Sequence, residues 1–361
     1  MKDPIDLIGV HPSGATLKRP DPRDYPYLPN EVAEASIPFS WQEGDGPDPA
    51  LVSLLSIKNQ GQSGSCGGQA FSYYGQRLRA AYAQDGAPRS AKYLYSQVYV
   101  PGGGSSDRDL ATIAKRQGFG LEDDCPSYQN GQAPSESFME RPQDITAAAR
   151  IGAAKDQATM AYAFPSFDLD TVAQAIIACN GIVLGIAGSN NGTWLSTQPK
   201  PPAPGEELWY HYMHGAQPQI YNGKKGIWCP QSWGVQGVGL NGWQFLDEDY
   251  FAAQVATQYG TGAIWGAIVL IYNPAPVKPP SYNFANDLKL GASGPDVLAL
   301  QQFLAYDGEF NLAPTGYYGQ ITAQAVLAFQ LKYLVSSAAT LEELGGDVVG
   351  PATRAKLNGL L

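Results

Sequence analysis

Residues Gln60-Gly-Gln-Ser-Gly-Ser-Cys66, running into Gly67-Gly-Gln-Ala-Phe-Ser-Tyr-Tyr, force a sharp loop-to-helix junction. Glycines at 61, 64, 67 and 68 permit backbone turns closed to other residues. Phe71, Tyr74 and Leu78 then recur at helical spacing, which predicts a helix from Cys66 to about Ala83. The junction therefore places one cysteine at a helix N-terminus, where the local positive field favours a thiolate. Gln60 lies six residues upstream, with an amide able to donate toward an oxyanion alongside the backbone N–H of Cys66. Taken alone, the segment fits an activated nucleophile and equally a cysteine capping a buried helix.

A thiol nucleophile needs a base, and the chain has only three histidines, His11, His211 and His214. His11 falls in a polar N-terminal stretch and reads as a surface residue. His211 and His214 share Tyr210-His-Tyr-Met-His-Gly215 ahead of an expected strand; three apart on extended backbone, they point to opposite faces. Only one of them can face a given cleft. Gln231, in Cys229-Pro-Gln-Ser-Trp-Gly234, is the candidate side-chain acceptor to orient the imidazole, with an aromatic close behind it as a shield.

Composition narrows the classes. The 361 residues can bury a large core and suggest two domains. Charged residues are sparse at 16% and Gly and Pro are abundant, which argues for many loops over a real core. A net charge of -10 without a Lys/Arg run argues against nucleic-acid binding. No apolar run approaches a membrane span, and no signal peptide is visible. Cys66, Cys125, Cys179 and Cys229 form no CxxC and lie outside metal-ligand spacing with histidine, so neither a metal nor a cofactor is expected. For the last three, buried free thiols and a single bridge both stay open.

Along the chain, residues 1–45 are Pro- and Asp-rich and read as an extended strap or propeptide-like segment. Helices are expected at 90–99, 106–118 and 167–178, a buried strand at 181–187, short strands between His211 and Gly242, and a last strand at Ile264–Tyr272. Helices first and strands later imply an α+β domain over 46–272 with two unlike halves. A Pro-rich linker, 273–283, leads to a small module, 284–361. There Gly319-Gln-Ile-Thr-Ala-Gln-Ala-Val echoes Gly350-Pro-Ala-Thr-Arg-Ala-Lys-Leu, and three short helices fit.

Together these segments resemble the papain-like cysteine peptidases, in particular their bacterial and archaeal branch. The family's Gln-Gly-x-x-Gly-Ser-Cys is matched by residues 60–66, its Ala-Phe by Ala70-Phe71, and its groove-lining glycine pair by Gly103-Gly104. Its His-Ala-Val falls at His214-Gly-Ala, with Tyr221 following, and its Asn-Ser-Trp-Gly at Gln231-Ser-Trp-Gly234. The resemblance implies a two-lobed fold, a helical lobe plus a β-barrel-like lobe. It favours His214 over His211 as the base, with Cys66, Gln60 and Gln231 completing the catalytic set. Gly103, Gly104, Gly64, Ser65 and Trp233 are the implied substrate-binding residues. The departures are Gln231 for asparagine, Gly67 for a tryptophan, Gly237 for a second tryptophan and Ser63 for a cysteine.

Residues 290–301, 318–330 and 350–357 resemble peptidoglycan-binding modules, with Leu-Gly-x-x-Gly-x-x-Val-x-x-Leu-Gln and its partner repeats. The resemblances imply a cysteine endopeptidase acting on peptides or proteins, with reduced or specialised activity where the motif departs. The module implies peptidoglycan or another cell-surface polymer as partner and an extracellular, wall-associated or phage setting. Alternatives are a hydrolase of peptidoglycan stem peptides and a non-catalytic binding protein on the same scaffold.

Overall fold

The computed structural model describes residues 14–16, 39–83, 85–158, 160–163, 167–258, 260–271, 281–310, 314–337, 340–341 and 348–361. His11, most of the 1–45 strap and residues 273–280 of the expected linker lie outside them. The described chain divides into two compact units, one ending at Leu270 and one starting at Ile271.

In the first unit the order is β1 (Ala15–Thr16), α1 (Pro49–Leu54), α2 (Cys66–Ala83), α3 (Ala91–Tyr95), β2 (Ser105–Ser106), α4 (Asp107–Arg116), α5 (Glu136–Met139), α6 (Ala147–Ala153), β3 (Met160–Ala163) and α7 (Leu169–Cys179). Then follow β4 (Ile182–Ser189), β5 (Leu208–Gly215), β6 (Gln217–Tyr221), β7 (Lys224–Pro230), β8 (Trp243–Asp247), α8 (Glu248–Ala252), β9 (Ala256–Thr257), β10 (Gly260–Thr261) and β11 (Ile264–Ile271). Helices dominate the first half and strands the second, as the sequence implied. The 90–99 helix stops at Tyr95, short of Val98 and the Val100-Pro101 pair, which disfavour further helical turns.

α2 is the axis of this unit. From Cys66 to Gln76 every residue is buried, because strands cover one side and α3 and α4 the other. Its glycines permit that approach: a Cβ on Gly68 would lie 2.7 Å from the Ala91 carbonyl, and one on Gly75 would strike the Phe119 ring. α4 is capped by Ser106, whose hydroxyl accepts from Asp109 N at 3.1 Å. Its acids stand in the first turn and Lys115 and Arg116 in the last, matching the helix dipole.

Strands β3-β11-β4-β5 form one sheet, with β4 antiparallel to both β11 and β5. β6-β7-β8 form a second antiparallel sheet. Asn222-Gly223, both at positive φ, make the two-residue turn that joins β6 to β7. Trp228, Trp243, Phe245, Leu55 and Tyr73 pack as one buried cluster, with Tyr221 against it. All four cysteines are free and buried, so the bridge left open by the sequence does not form.

The second unit contains α9 (Pro295–Asp307), α10 (Gln320–Lys332) and α11 (Pro351–Asn358), each preceded by glycine. The repeat seen in the sequence is a repeated contact. Gln301 Nε2 donates to Thr322 Oγ1 at the start of the next helix, and Gln330 Nε2 does the same to Thr353 Oγ1, both at 2.9 Å. No helix among the described residues is long and apolar enough to cross a membrane.

Candidate active site

The loop before Cys66 is closed by its own polar groups. Gln60 N donates to Ser232 O at 2.6 Å, and Asn59 bridges Trp233 in the antiparallel sense, tying this loop to the 231–234 turn. Gln60 is fully buried; its Oε1 accepts from Ser232 Oγ at 2.6 Å and its Nε2 donates to Ser63 O at 2.8 Å. Ser65 turns inward, its hydroxyl bonded to Ser63 Oγ and Gln69 Nε2. Gly61 has φ +58°, and a Cβ there would meet Pro134 O at 2.3 Å, so only glycine makes this turn.

Both histidines lie on β5 and point to opposite faces, as alternation requires. Their surroundings differ. His214 faces α2, where it packs against Tyr74 at 5.2 Å and stacks beside Tyr73, about 11 Å along the helix from Cys66. Its Nδ1–H donates to Ile182 O at 3.1 Å, and its buried Nε2 has no hydrogen-bond partner among the described residues. Burial, reinforced by the nearby Arg77 cation, holds its pKa well below the ordinary value despite that backbone bond. It is a neutral core histidine.

His211 faces the other way. Its Nε2 lies 3.2 Å from Gln231 Oε1, and the Trp233 ring covers it at 5.2 Å between centroids. Trp194 and Trp209 stand edge-on at 6.2 and 6.4 Å, completing an indole wall. The resemblance favours His214 because it places Tyr221 and Gln231 in near-family register. Sheet pairing sets His211 opposite Ile186 and His214 opposite Val183. Gln231, which holds His211, belongs to the turn that is tied to the Cys66 loop through Ser232 and Gln60.

Cys66 is fully buried, and part of its cover is the chain's own N-terminal segment. β1 pairs with β2 in parallel register, Ala15 with Ser105 and Thr16 with Ser106, and Ser105 N donates to Gly14 O at 2.8 Å. Gly14, Gly64 and Gly104 meet backbone to backbone. A Cβ on Gly14 would lie 1.9 Å from Gly64 O, one on Gly64 2.5 Å from Gly104 N, and one on Gly104 2.7 Å from Gly14 O. Burial pushes the Cys66 thiol up to about 12, against backbone hydrogen bonds from Tyr212, Gly67, Gly14 and Cys66 itself. With the segment in place, the thiol is protonated at neutral pH.

Glu136 links the loop before Cys66 to the 103–104 segment. Its carboxylate accepts from Gly64 N and from Tyr95 OH, and Tyr95 OH in turn accepts from Gly104 N at 2.8 Å. Gly103 lies over the same carboxylate, 3.7 Å from where its Cβ would be.

Comparison with solved structures decides the fold. Xylellain, a cysteine protease from Xylella fastidiosa, is similar with a TM-score of 0.52 at 17% identity, over 72% of this chain and 96% of that one. A procathepsin B from Trypanosoma congolense gives 0.53 at 9% identity, over 74% and 87%. The proform of the ragweed pollen cysteine protease Amb a 11 gives 0.50 at 17%, over 66% and 68%. The fold is papain-like. Residues 293–334 match the family model described as "Putative peptidoglycan binding domain". A search of curated protein sequences finds no match.

Within a papain-like frame one departure explains itself. The departure is Gly67, where the family has a tryptophan. A Cβ on Gly67 would lie 2.6 Å from Leu110 Cδ1, 2.9 Å from Ser105 Oγ and 3.2 Å from the Tyr212 ring, so no larger side chain fits there without a shift. The reading from sequence missed Tyr212, Trp194, Trp209, Glu136 and Gln244. Trp194 and Trp209 had a local signal, since tryptophans near a candidate histidine suggest a shield; the others had none.

Proposed function

We propose that the first unit is a cysteine peptidase in which Cys66 is the nucleophile and His211 its acid–base partner. The observation that supports this reading is the tie between the Cys66 loop and the 231–234 turn, Ser232 Oγ donating to Gln60 Oε1, with His211 held by Gln231 under Trp233 in that turn. The Cys66 proton passes to His211 and the thiolate attacks the scissile carbonyl. Gln60 Nε2, through the hydrogen not given to Ser63 O, and the Cys66 N–H receive the developing oxyanion. Protonated His211 gives its proton to the leaving amine, and water activated by the same ring releases the acyl group as a carboxylic acid.

Gly64, Gly103 and Gly104 form the groove walls, now occupied by residues 14–16, so this form is latent. The segment acts as an internal strap, and a substrate strand takes its place once it leaves. The peptidoglycan-binding match over 293–334 supports delivery of the peptidase to cell-wall polymer, with wall-borne protein or stem peptides as substrates. The test is hydrolysis of a fluorogenic peptide library and of purified cell wall by wild type, Cys66→Ala, His211→Ala and His214→Asn. Loss in the first two and retention in the third is expected. Retained turnover in His211→Ala would overturn the assignment. Cleavage of wall but not of the library identifies stem peptides as the substrate.

A further inference from the structure

We infer that Gln244 is a positioning residue that fixes the proton of His211 on Nε2, acting through Gln231. Only its catalytic consequence rests on the reading of Cys66 and His211 as a reacting pair.

Gln244 lies on β8 opposite Cys229 of β7 and is fully buried. Its Nε2 donates to two backbone carbonyls, Trp194 O and Ser196 O, the second at 3.2 Å. A carbonyl can only accept, so the Gln244 amide has one permitted orientation, nitrogen toward 194 and 196. Its Oε1 must then face Gln231, whose Nε2 donates to it at 2.7 Å. Gln231 Oε1 is thereby left toward His211 Nε2, and the Ser232 N–H donates to that same oxygen at 2.8 Å. An acceptor facing Nε2 requires Nε2 to carry the hydrogen in the neutral ring, which leaves Nδ1 as the basic nitrogen.

The hydrogen-bond polarity thus starts at carbonyls in the 194–196 segment and ends at the imidazole. The opposite orientation of Gln231 would set an NH₂ against His211, make Nε2 the acceptor and move the proton to Nδ1. Two locks oppose it, Ser232 on the oxygen and Gln244 on the nitrogen. A shorter asparagine could satisfy one lock or the other; glutamine at 231 spans both His211 and Gln244. The longer side chain is therefore a working part of a two-amide relay.

The experiment compares wild type, Gln244→Leu, Gln231→Leu and the double variant, with histidine-ring ¹⁵N NMR and peptide hydrolysis. In wild type His211 shows the Nε2–H tautomer. In Gln244→Leu the Gln231 NH₂ is buried without an acceptor, so the orienting contact loosens and His211 becomes a tautomer mixture. The turnover number falls about 10- to 100-fold with KM nearly unchanged. In the Gln231→Leu background the Gln244→Leu change has no further effect on turnover, because its route is gone.

A pure Nε2–H signal in Gln244→Leu, or full additivity in the double variant, overturns the inference. If Gln244→Leu fails to fold, Gln244→Glu keeps the shape, and its carboxylate faces the two carbonyls. Its turnover must then fall as pH rises through the carboxyl's titration, and a wild-type pH profile overturns the inference. Should Cys66→Ala retain turnover, the peptidase reading fails, while the tautomer measurement still decides the role of Gln244.

Discussion

Replacing Gly14 by valine should switch the latent thiol on. The Cβ would lie 1.9 Å from Gly64 O and 2.5 Å from Gly64 C, and both are backbone atoms. Gly64 cannot retreat, because Gly104 N stands 2.5 Å behind the place of its own Cβ and Glu136 holds its N–H. The segment must therefore lift away. Overpacking of this kind costs about 1–3 kcal/mol, and the lost Gly14–Ser105 hydrogen bond adds about 0.5–1.5 kcal/mol. A net shift of about 2–3 kcal/mol opens the groove roughly 30- to 150-fold more often. Iodoacetamide alkylation at neutral pH, read by mass on the peptide carrying Cys66, measures that directly. Cys125, Cys179 and Cys229 are also buried and serve as controls in the same sample. A selective rise at Cys66 is expected. An unchanged Cys66 rate, or an equal rise at all four cysteines, would refute the argument, the second by revealing general loosening.

Two further outcomes follow from the site. Gln231→Asn shortens the relay by one methylene, so turnover should fall about tenfold or more with little change in KM; a rise would mean that asparagine is the better fit. His214 should govern acid stability. Its folded pKa is depressed, so folding is favoured above the ordinary histidine value and that contribution is lost as pH falls through it. Denaturant unfolding of wild type at pH 7.5 and 5 should show a loss that is smaller in His214→Asn, and equal losses would contradict the buried, neutral assignment.

The alternation of β5 is a covalent property of extended backbone, and it was enough to say that His211 and His214 diverge. What covers each face depends on tertiary packing. α2 lies on the His214 face and the indoles of 194, 209 and 233 on the other, and those elements come from distant parts of the chain.

Local sequence determined the junction at Cys66, the helical periodicity behind it, the glycines that permit close approach and the repeat of the C-terminal helices. Each depends on residues a few positions apart. Tertiary structure alone decided that His211 is the histidine held by Gln231 under Trp233, that Leu110, Ser105 and Tyr212 crowd Gly67, and that Gly14 packs against Gly64 beside the buried thiol. It also joined Gln244 to Gln231 across β7 and β8, and gave their amides a direction from the carbonyls of 194 and 196. Those outcomes depend on strand register and on hydrogen-bond polarity handed from one element to another, which no short window of sequence contains.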